Sequence, residues 1–342
     1  MPGLRLSSSR GFSLRICLAK MIDSFTHRHV FIQTHNFPDP DAIASAYGLQ
    51  YLLHSRGLES TIIYKGKVEH GSSNAMVKKL GIEIIEYSDM TEMSQDAEII
   101  LVDSQKGNAN IIDMPGNEVV CIDHHPIFGK SQYTFSDIRP EVGACASMIA
   151  QYIFDEGLQI PGNIATALLY GIRIDTAGLS RGMSNLDLDM FYKLFNLADR
   201  KKIAELDNST LRQTDLLAYS SAINSIKTYG KTSYANTGYN SPEPLIAAIS
   251  DFIMMLDTTD NTVVYSVKDD GIKISVRSVG TINAGKVANQ ALEGIGSGGG
   301  HENMAGGFVP YDKRITDPVH NDKYISELTN EIEQRFANVI DG

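Results

Sequence analysis

Val119-Val120-Cys121-Ile122-Asp123-His124-His125-Pro126 is the stretch on which the reading of this chain turns. Four apolar residues run straight into three side chains able to bind metal. A strand buried on both faces of a sheet is a near-continuous apolar run, and a ligand site can open where it ends. Taken alone, the triplet reads equally well as a turn whose histidines face water. The rest of the chain decides between the two.

Residues 29–34 form a short β-prone run that ends at His35. Asn36-Phe37-Pro38-Asp39-Pro40-Asp41 follows, and its two prolines fix a loop. Helical spacing runs over 42–55, with Gly57 as a stop. Residues 61–64 read as a second strand, 73–80 as a short helix and 82–85 as a third strand. Residues 98–102 make a fourth strand, ending at Asp103-Ser104. Strands alternating with helices predict an α/β fold, a doubly wound, mainly parallel sheet. Ligands of such sheets sit beyond the carboxyl ends of the strands. His35, Asp103 and Asp123 would thus be delivered to one edge by three independent runs.

Helices are expected over 142–154 and 164–170, the second ending in Gly171-Ile172-Arg173-Ile174-Asp175-Thr176, which puts Asp175 in a loop. Residues 186–198 and 201–227 also read as helical. After Tyr229 the pattern resets: a helix over 244–256, strands over 262–267 and 273–278 joined by Asp269-Asp270-Gly271, and a helix over 283–292. A glycine run, Gly296-Ser297-Gly298-Gly299-Gly300-His301, precedes a last strand at 305–309. This is a second, smaller α/β domain. The expected division is a disordered N-terminal extension over 1–21, a first α/β domain over 22–195, a helical linker over 196–215 and a second domain over 216–342.

The length of 342 residues suits two domains of roughly 150 each. A net charge of −11 argues against a protein that coats long nucleic acid, whose binding surfaces are usually basic. A short anionic substrate held by metal ions remains compatible. Cys17, Cys121 and Cys145 show no metal-type spacing and read as reduced thiols of a cytoplasmic protein. No apolar run approaches the length of a membrane span. Arg5, Arg10, Arg15 and Lys20 punctuate a Ser-rich start that reads as a transit-type segment or, preferably, a disordered one.

His35, Asp39, Asp41, Asp103, Asp123, His124, His125 and Asp175 form the chemical set. Carboxylates with imidazoles suit hard or borderline divalent ions. A pair of Mn²⁺ ions fits best, with Mg²⁺ or Co²⁺ as alternatives, because no cysteine joins the set. Two metals about 3.5–4 Å apart can share a carboxylate and a hydroxide that attacks phosphorus. An Asp after a strand often merely caps the next helix. Four separate element ends being acidic by accident is the poorer explanation. Glycines 298–300 let backbone N–H groups approach a phosphate, His301 can donate to it, and Arg277 can grip it in a forked geometry. A glycine run is also commonly just a flexible loop.

With these motifs together the chain resembles the DHH/DHHA1 phosphoesterases, the superfamily that includes RecJ nucleases and family II inorganic pyrophosphatases. The matching motifs are His35-Asn-Phe-Pro-Asp39-Pro-Asp41-Ala-Ile-Ala-Ser45, Val102-Asp103-Ser104, Asp123-His124-His125-Pro126, Gly171-Ile-Arg-Ile-Asp175-Thr176, Val276-Arg277-Ser278 and Gly298-Gly-Gly-His301. They run in order over about residues 28–312. The resemblance implies one Mn²⁺ on His35, Asp39 and Asp103 and another on Asp41, Asp103, His124 and Asp175, with Asp103 bridging. Asp123 would orient its neighbours, and His125 would face the substrate phosphate. Arg277, Gly299, Gly300 and His301 would bind the nucleotide from the second domain.

The length is similar to that of the nano-RNase and pAp-phosphatase group, which implies hydrolysis of short oligoribonucleotides, dinucleotides or 3′,5′-bisphosphoadenosine (pAp). A cyclic-dinucleotide phosphodiesterase, an inorganic pyrophosphatase and a non-enzymatic nucleotide sensor are the alternatives. Expected partners are a small nucleotide or short single-stranded RNA, with no long duplex and no membrane; a homodimer is an open expectation. Pro40 and Ala44 stand where the group usually has glycines, and Ile174 where Thr is usual. These departures flank the metal candidates and bear on substrate choice.

Overall fold

The structure is a computed structural model describing residues 19–66, 68, 71–89, 93–108, 110–127, 129, 132–207, 211–312, 315, 317, 318 and 321–341. Most of the expected N-terminal extension, with Arg5, Arg10, Arg15 and Cys17, lies outside the described residues. Two compact units divide the chain, residues 1–210 and 211–342.

The first unit is built on six parallel strands: β1 (His29–Gln33), β2 (Glu59–Tyr64), β3 (Ile85–Glu86), β4 (Glu98–Val102), β5 (Asn117–Asp123) and β6 (Phe135–Ile138), in the order β3-β2-β1-β4-β5-β6. The chain steps outward from β1 to β3, then returns to β4 and steps the other way. A crevice forms beyond the carboxyl ends at such a reversal. All five residues of β4 are buried, as expected of a central parallel strand.

Helix α1 (Pro40–Ser55) starts where Asp39 accepts a hydrogen bond from the Ala42 N–H at 3.0 Å. Pro40 occupies its first position, where a missing N–H costs nothing. Helices α2 (Gly71–Leu80), α3 (Cys145–Asp155), α4 (Gly162–Asp175), α5 (Asn185–Phe195) and α6 (Arg200–Asp207) follow. Leu49, Leu52 and Leu53 of α1 share one core with Ile32, Ile100 and Ile122 of the sheet and Ile149 and Leu168 of α3 and α4. The opposite face of the sheet carries Ile63, Ile99, Leu101 and Cys121, covered by Met114, Ile111, Ile112 and Tyr87.

Small residues let α1 and α4 pack closely. A Cβ on Gly48 would sit 2.9 Å from side chains of Ile149 and Leu168. A Cβ on Gly171 would sit 2.9 Å from the Ala44 Cβ and 3.1 Å from Asp41 Oδ1. Ala44, where related sequences were expected to carry glycine, is thus matched by a glycine across the helix pair. Gly171→Ala is expected to cost about 1–3 kcal/mol of stability by overpacking and to weaken divalent-cation binding, because Asp41 must give way. Wild-type Tm together with wild-type cation affinity in that variant would show that the two helices have slack.

The second unit is a mixed sheet of β7 (Lys227–Tyr229), β8 (Thr232–Tyr239), β9 (Asn261–Val267), β10 (Gly271–Ser278), β11 (Ser297–Gly300) and β12 (Met304–Pro310), ordered β11-β12-β10-β9-β8-β7. Only the β8–β9 pair is parallel. Alternation along β9 splits the core between two faces. Val263, Tyr265 and Val267 pack with α9 (Ala284–Ala291) and α10 (Asp322–Asp341). Val264 packs with α7 (Asp215–Ser225) and α8 (Glu243–Ile253).

Several sequence-based boundaries move. Asp175 is the last residue of α4 and not part of a loop, because Gly171 serves helix packing and does not stop the helix. The glycine run is strand β11 and not a loop. A Cβ on Gly298 would lie 2.5 Å from the Ala288 carbonyl oxygen, and one on Gly285 would lie 2.2 Å from that of Gly300. Glycine is what allows α9 to lie against this edge. The single helix expected over 201–227 is two helices followed by a strand, since Asp215 starts α7 afresh by accepting from the Arg212 N–H at 2.8 Å. The third strand is only Ile85–Glu86, and β6, β8 and α10 were not anticipated.

Candidate metal centre

Strand ends of the first unit deliver the site. His35 lies two residues beyond β1, Asp103 directly beyond β4, Asp123 ends β5, and His124 and His125 follow it. Asp103 turns the chain sharply, with φ at 57°, while its N–H donates to the Ile122 carbonyl at 2.9 Å. The left-handed region is disfavoured for side chains other than Gly, Asn and Asp. Asp39 and Asp41 come from the start of α1, and Asp175 from the end of α4.

These side chains converge. His35, Asp39 and Asp103 each bring a donor atom within 4.8 Å of the others, and so do Asp41, His124 and Asp175. A third such group is Asp103, His124 and His125. Asp103 stands between the sets: Oδ2 is 3.8 Å from His35 Nε2, and Oδ1 is 3.3 Å from His124 Nε2. His124 Nε2 also lies 3.3 Å from Asp175 Oδ2 and 3.9 Å from Asp41 Oδ2.

Each imidazole is aimed by its other nitrogen. His124 Nδ1 donates to the Val142 carbonyl at 3.0 Å, and His35 Nδ1 to the Asn36 carbonyl at 2.9 Å. Both Nε2 atoms are thereby turned toward the carboxylates, the tautomer that suits a metal ligand. His125 Nδ1 donates to Asp123 Oδ1 at 2.8 Å. Asp123 also accepts from the His124 N–H at 2.8 Å and from Gln105 Nε2 at 2.7 Å. It is fully buried and faces its own neighbours, so it acts on the histidines and not as a member of the metal-type groups. Asp41 accepts from the Cys145 and Ala146 N–H groups at 2.7 and 2.9 Å, the opening turn of α3.

The electrostatics follow from crowding acids in a buried place. Burial, then the charges of Asp103 and Asp175, lift the Asp41 carboxyl well above its ordinary range. Burial likewise pushes Asp175 up to about 6, against the pull of His124. Burial alone would depress His35, yet its hydrogen bond to Asp39 and the charges of Asp39 and Asp103 raise it to about 10. Burial opposes charge on His124 and His125 too, and neighbouring carboxylates outweigh it in both, so both rise.

Divalent cations fit this donor set. Oxygen and imidazole nitrogen are its only members, and buried Asp103 Oδ1 accepts no hydrogen bond. Of the two described thiols, Cys145 points its sulfur at the Ile122 carbonyl at 3.6 Å and Cys121 at that of Ser104 at 3.4 Å. For Cys145, burial and the charges of Asp103 and Asp41 hold the pKa far above normal. Cation binding must expel the proton from His35 at neutral pH, and from Asp175 as well below about pH 6. Affinity is therefore expected to rise with pH, and Mn²⁺ added to weakly buffered protein at pH 7.5 to acidify it. A titration that releases no protons would contradict this arrangement.

In the second unit, Arg277 is buried on β10. Its Nε donates to Asp251 Oδ1 at 2.7 Å and its Nη1 to Ser275 Oγ at 3.1 Å. The phosphate grip expected of it would compete with Asp251. The His301 carbonyl accepts from the Gly285 N–H at 2.9 Å, at the start of α9. Gly300 is demanded by packing, with a Cβ there 2.5 Å from the Met304 oxygen. At exposed Gly299 a Cβ would meet nothing within 4 Å.

Gln105 and the α3 opening turn were not singled out from the sequence. Gln105 is buried and also donates to the His125 and Pro126 carbonyls at 3.2 Å. Its place two residues past Asp103 was the only available signal.

Residues 29–172 match the DHH family, N-terminal domain, and residues 238–336 match the DHHA1 domain. An uncharacterized protein of Methanocaldococcus jannaschii is 30% identical over 304 residues, 87% of this chain and 62% of that protein. The cyclic-di-AMP phosphodiesterase PdeA of Listeria monocytogenes is 25% identical over 307 residues, 81% of this chain and 44% of that protein. The chain thus spans less than two thirds of the length of either curated relative. A crystal structure of an exopolyphosphatase-related protein from Bacteroides fragilis superposes with a TM-score of 0.72 at 18% identity, covering 99% of both chains, and shares the fold. With His35, Asp103 and the Asp123–His125 run inside the first matched region and the glycine strand inside the second, the chain belongs to the DHH/DHHA1 family.

Proposed function

We propose that this chain is a manganese-dependent phosphoesterase acting on short nucleotides: dinucleotides and short oligoribonucleotides, and pAp. The observation that carries the reading is the buried Asp103 carboxylate standing between two His/Asp groups, with one oxygen lacking a hydrogen bond. His35, Asp39 and Asp103 would hold one ion; Asp41, Asp103, His124 and Asp175 would hold the other. Such a pair, when bound, neutralises phosphoryl charge and lowers the pKa of water.

The chain's own groups supply the rest. Asp123 holds the Nδ1–H of His125 and favours the charged ring, so part-exposed His125 can carry a proton on Nε2 toward a phosphate oxygen. Gln105 keeps Asp123 in register from the other oxygen. The DHHA1 unit would bind the nucleotide through His301 and the open strand at Gly299, with Arg277 sharing its fork between Asp251 and phosphate. The net charge of −11 fits a substrate with few phosphates.

Incubation with Mn²⁺ and labelled two- to seven-nucleotide RNAs, pAp, cyclic dinucleotides and pyrophosphate ranks the classes. Fastest turnover of the shortest RNAs or pAp supports the reading. Preference for pyrophosphate would replace it, and no turnover of any of them would end it.

A further inference from the structure

Asp187, in the first turn of α5, is completely buried. Its bonds with Ser184, at 2.6 Å from both N and Oγ, are an ordinary helix-capping arrangement. Its other two bonds are not local. Asp187 Oδ2 accepts from the Gly143 N–H at 2.8 Å, and Oδ1 from Ser147 Oγ at 2.6 Å. A cap alone does not call for partners forty residues away.

Both partners lead to the metal centre. Gly143 adjoins Val142, whose carbonyl takes the His124 Nδ1–H. Ser147 belongs to the first turn of α3, whose Cys145 and Ala146 N–H groups hold both oxygens of Asp41. That helix has no side-chain cap of its own. The turn leaves little room: a Cβ on Gly143 would lie 2.8 Å from the Gly182 oxygen and 2.9 Å from Thr176 Cγ2, next to Asp175. One buried carboxylate therefore fixes the outer supports of two ligands in the Asp41–His124–Asp175 group. His35 and Asp39 are held instead through Asn36 and Ala42.

We propose that Asp187 is a positioning residue for one of the two cation positions, that of Asp41, His124 and Asp175, and not for that of His35 and Asp39. This rests on the two-cation reading above and adds which residue sets the second site. Outer partners of metal ligands typically matter by ~10–100-fold in affinity.

The test is calorimetric titration of Mn²⁺ into the metal-stripped full chain, with electron paramagnetic resonance of the loaded protein. The wild type is expected to bind two ions with the spectrum of a coupled pair. Asp187→Ala should bind one ion normally and the other ~10–100-fold more weakly, leaving an isolated-ion spectrum. Asp187→Asn keeps one acceptor oxygen and should recover part of the loss. Ser147→Ala cuts only the α3 link and should fall between Asp187→Ala and wild type. Two ions at wild-type affinity in Asp187→Ala would overturn the proposal. So would equal weakening of both ions with a lowered Tm, the mark of a merely structural role. If Asp187→Ala does not fold, wild-type affinities in both Asp187→Asn and Ser147→Ala overturn it. A wild-type chain that binds no ion would instead defeat the two-cation reading itself.

Discussion

Asp103→Asn is expected to abolish hydrolysis and to leave the chain folded. Asn preserves the volume of the side chain and tolerates the left-handed backbone at φ 57°. What it removes is negative charge at a carboxylate that lies 3.8 Å from His35 Nε2 and 3.3 Å from His124 Nε2. Changes to groups that merely support metal ligands cost ~10–100-fold. Loss of a ligand shared by both ions, the role proposed for Asp103, should exceed that, giving more than ~10²-fold loss of kcat. Metal content after dialysis should fall in parallel. Undiminished turnover by an Asp103→Asn protein carrying no metal would remove the basis of the proposed chemistry.

Chelation should produce the second large effect, on stability. Asp39, Asp41, Asp103 and Asp175 crowd one end of the sheet, and the upward shifts of Asp41 and Asp175 show that the bare site resists full ionisation. An ion present at a hundredfold over its Kd adds ~2.7 kcal/mol to the folded state. For a unit of this size each kcal/mol moves Tm by ~2–4 °C. Each ion should thus raise Tm by roughly 5–10 °C. Calorimetry of chelator-treated protein with and without added Mn²⁺ measures this directly. A Tm indifferent to Mn²⁺, and equally to Mg²⁺, would mean that the carboxylates form no cation site.

The parallel sheet and its site-bearing edge were legible because buried strands announce themselves. Residues 98–102 are apolar after Glu98, and the run breaks at Asp103, where the backbone turns and burial changes purpose. Glycine misled twice, for a single reason. Gly171 looked like a helix stop and the 298–300 run like a loop, yet Gly171 is small because α1 lies against it, and Gly298 and Gly300 because the backbones of α9 and β12 do. That closeness is a tertiary fact, and local spacing carries no trace of it. Gln105 and Asp187 were illegible for the same reason: their partners lie up to 44 residues away. Arg277 was legible as a cation, but its engagement by Asp251 was not, since the two come from different elements.

Cys145 gives the centre a bias in what it admits. Soft ions such as cadmium or mercury gain most of their affinity from sulfur that has lost its proton. Here burial first, and then the acids that would welcome manganese or magnesium, hold this sulfur protonated. Carboxylates that would hold a hard ion would thus also disfavour the thiolate that a soft ion needs.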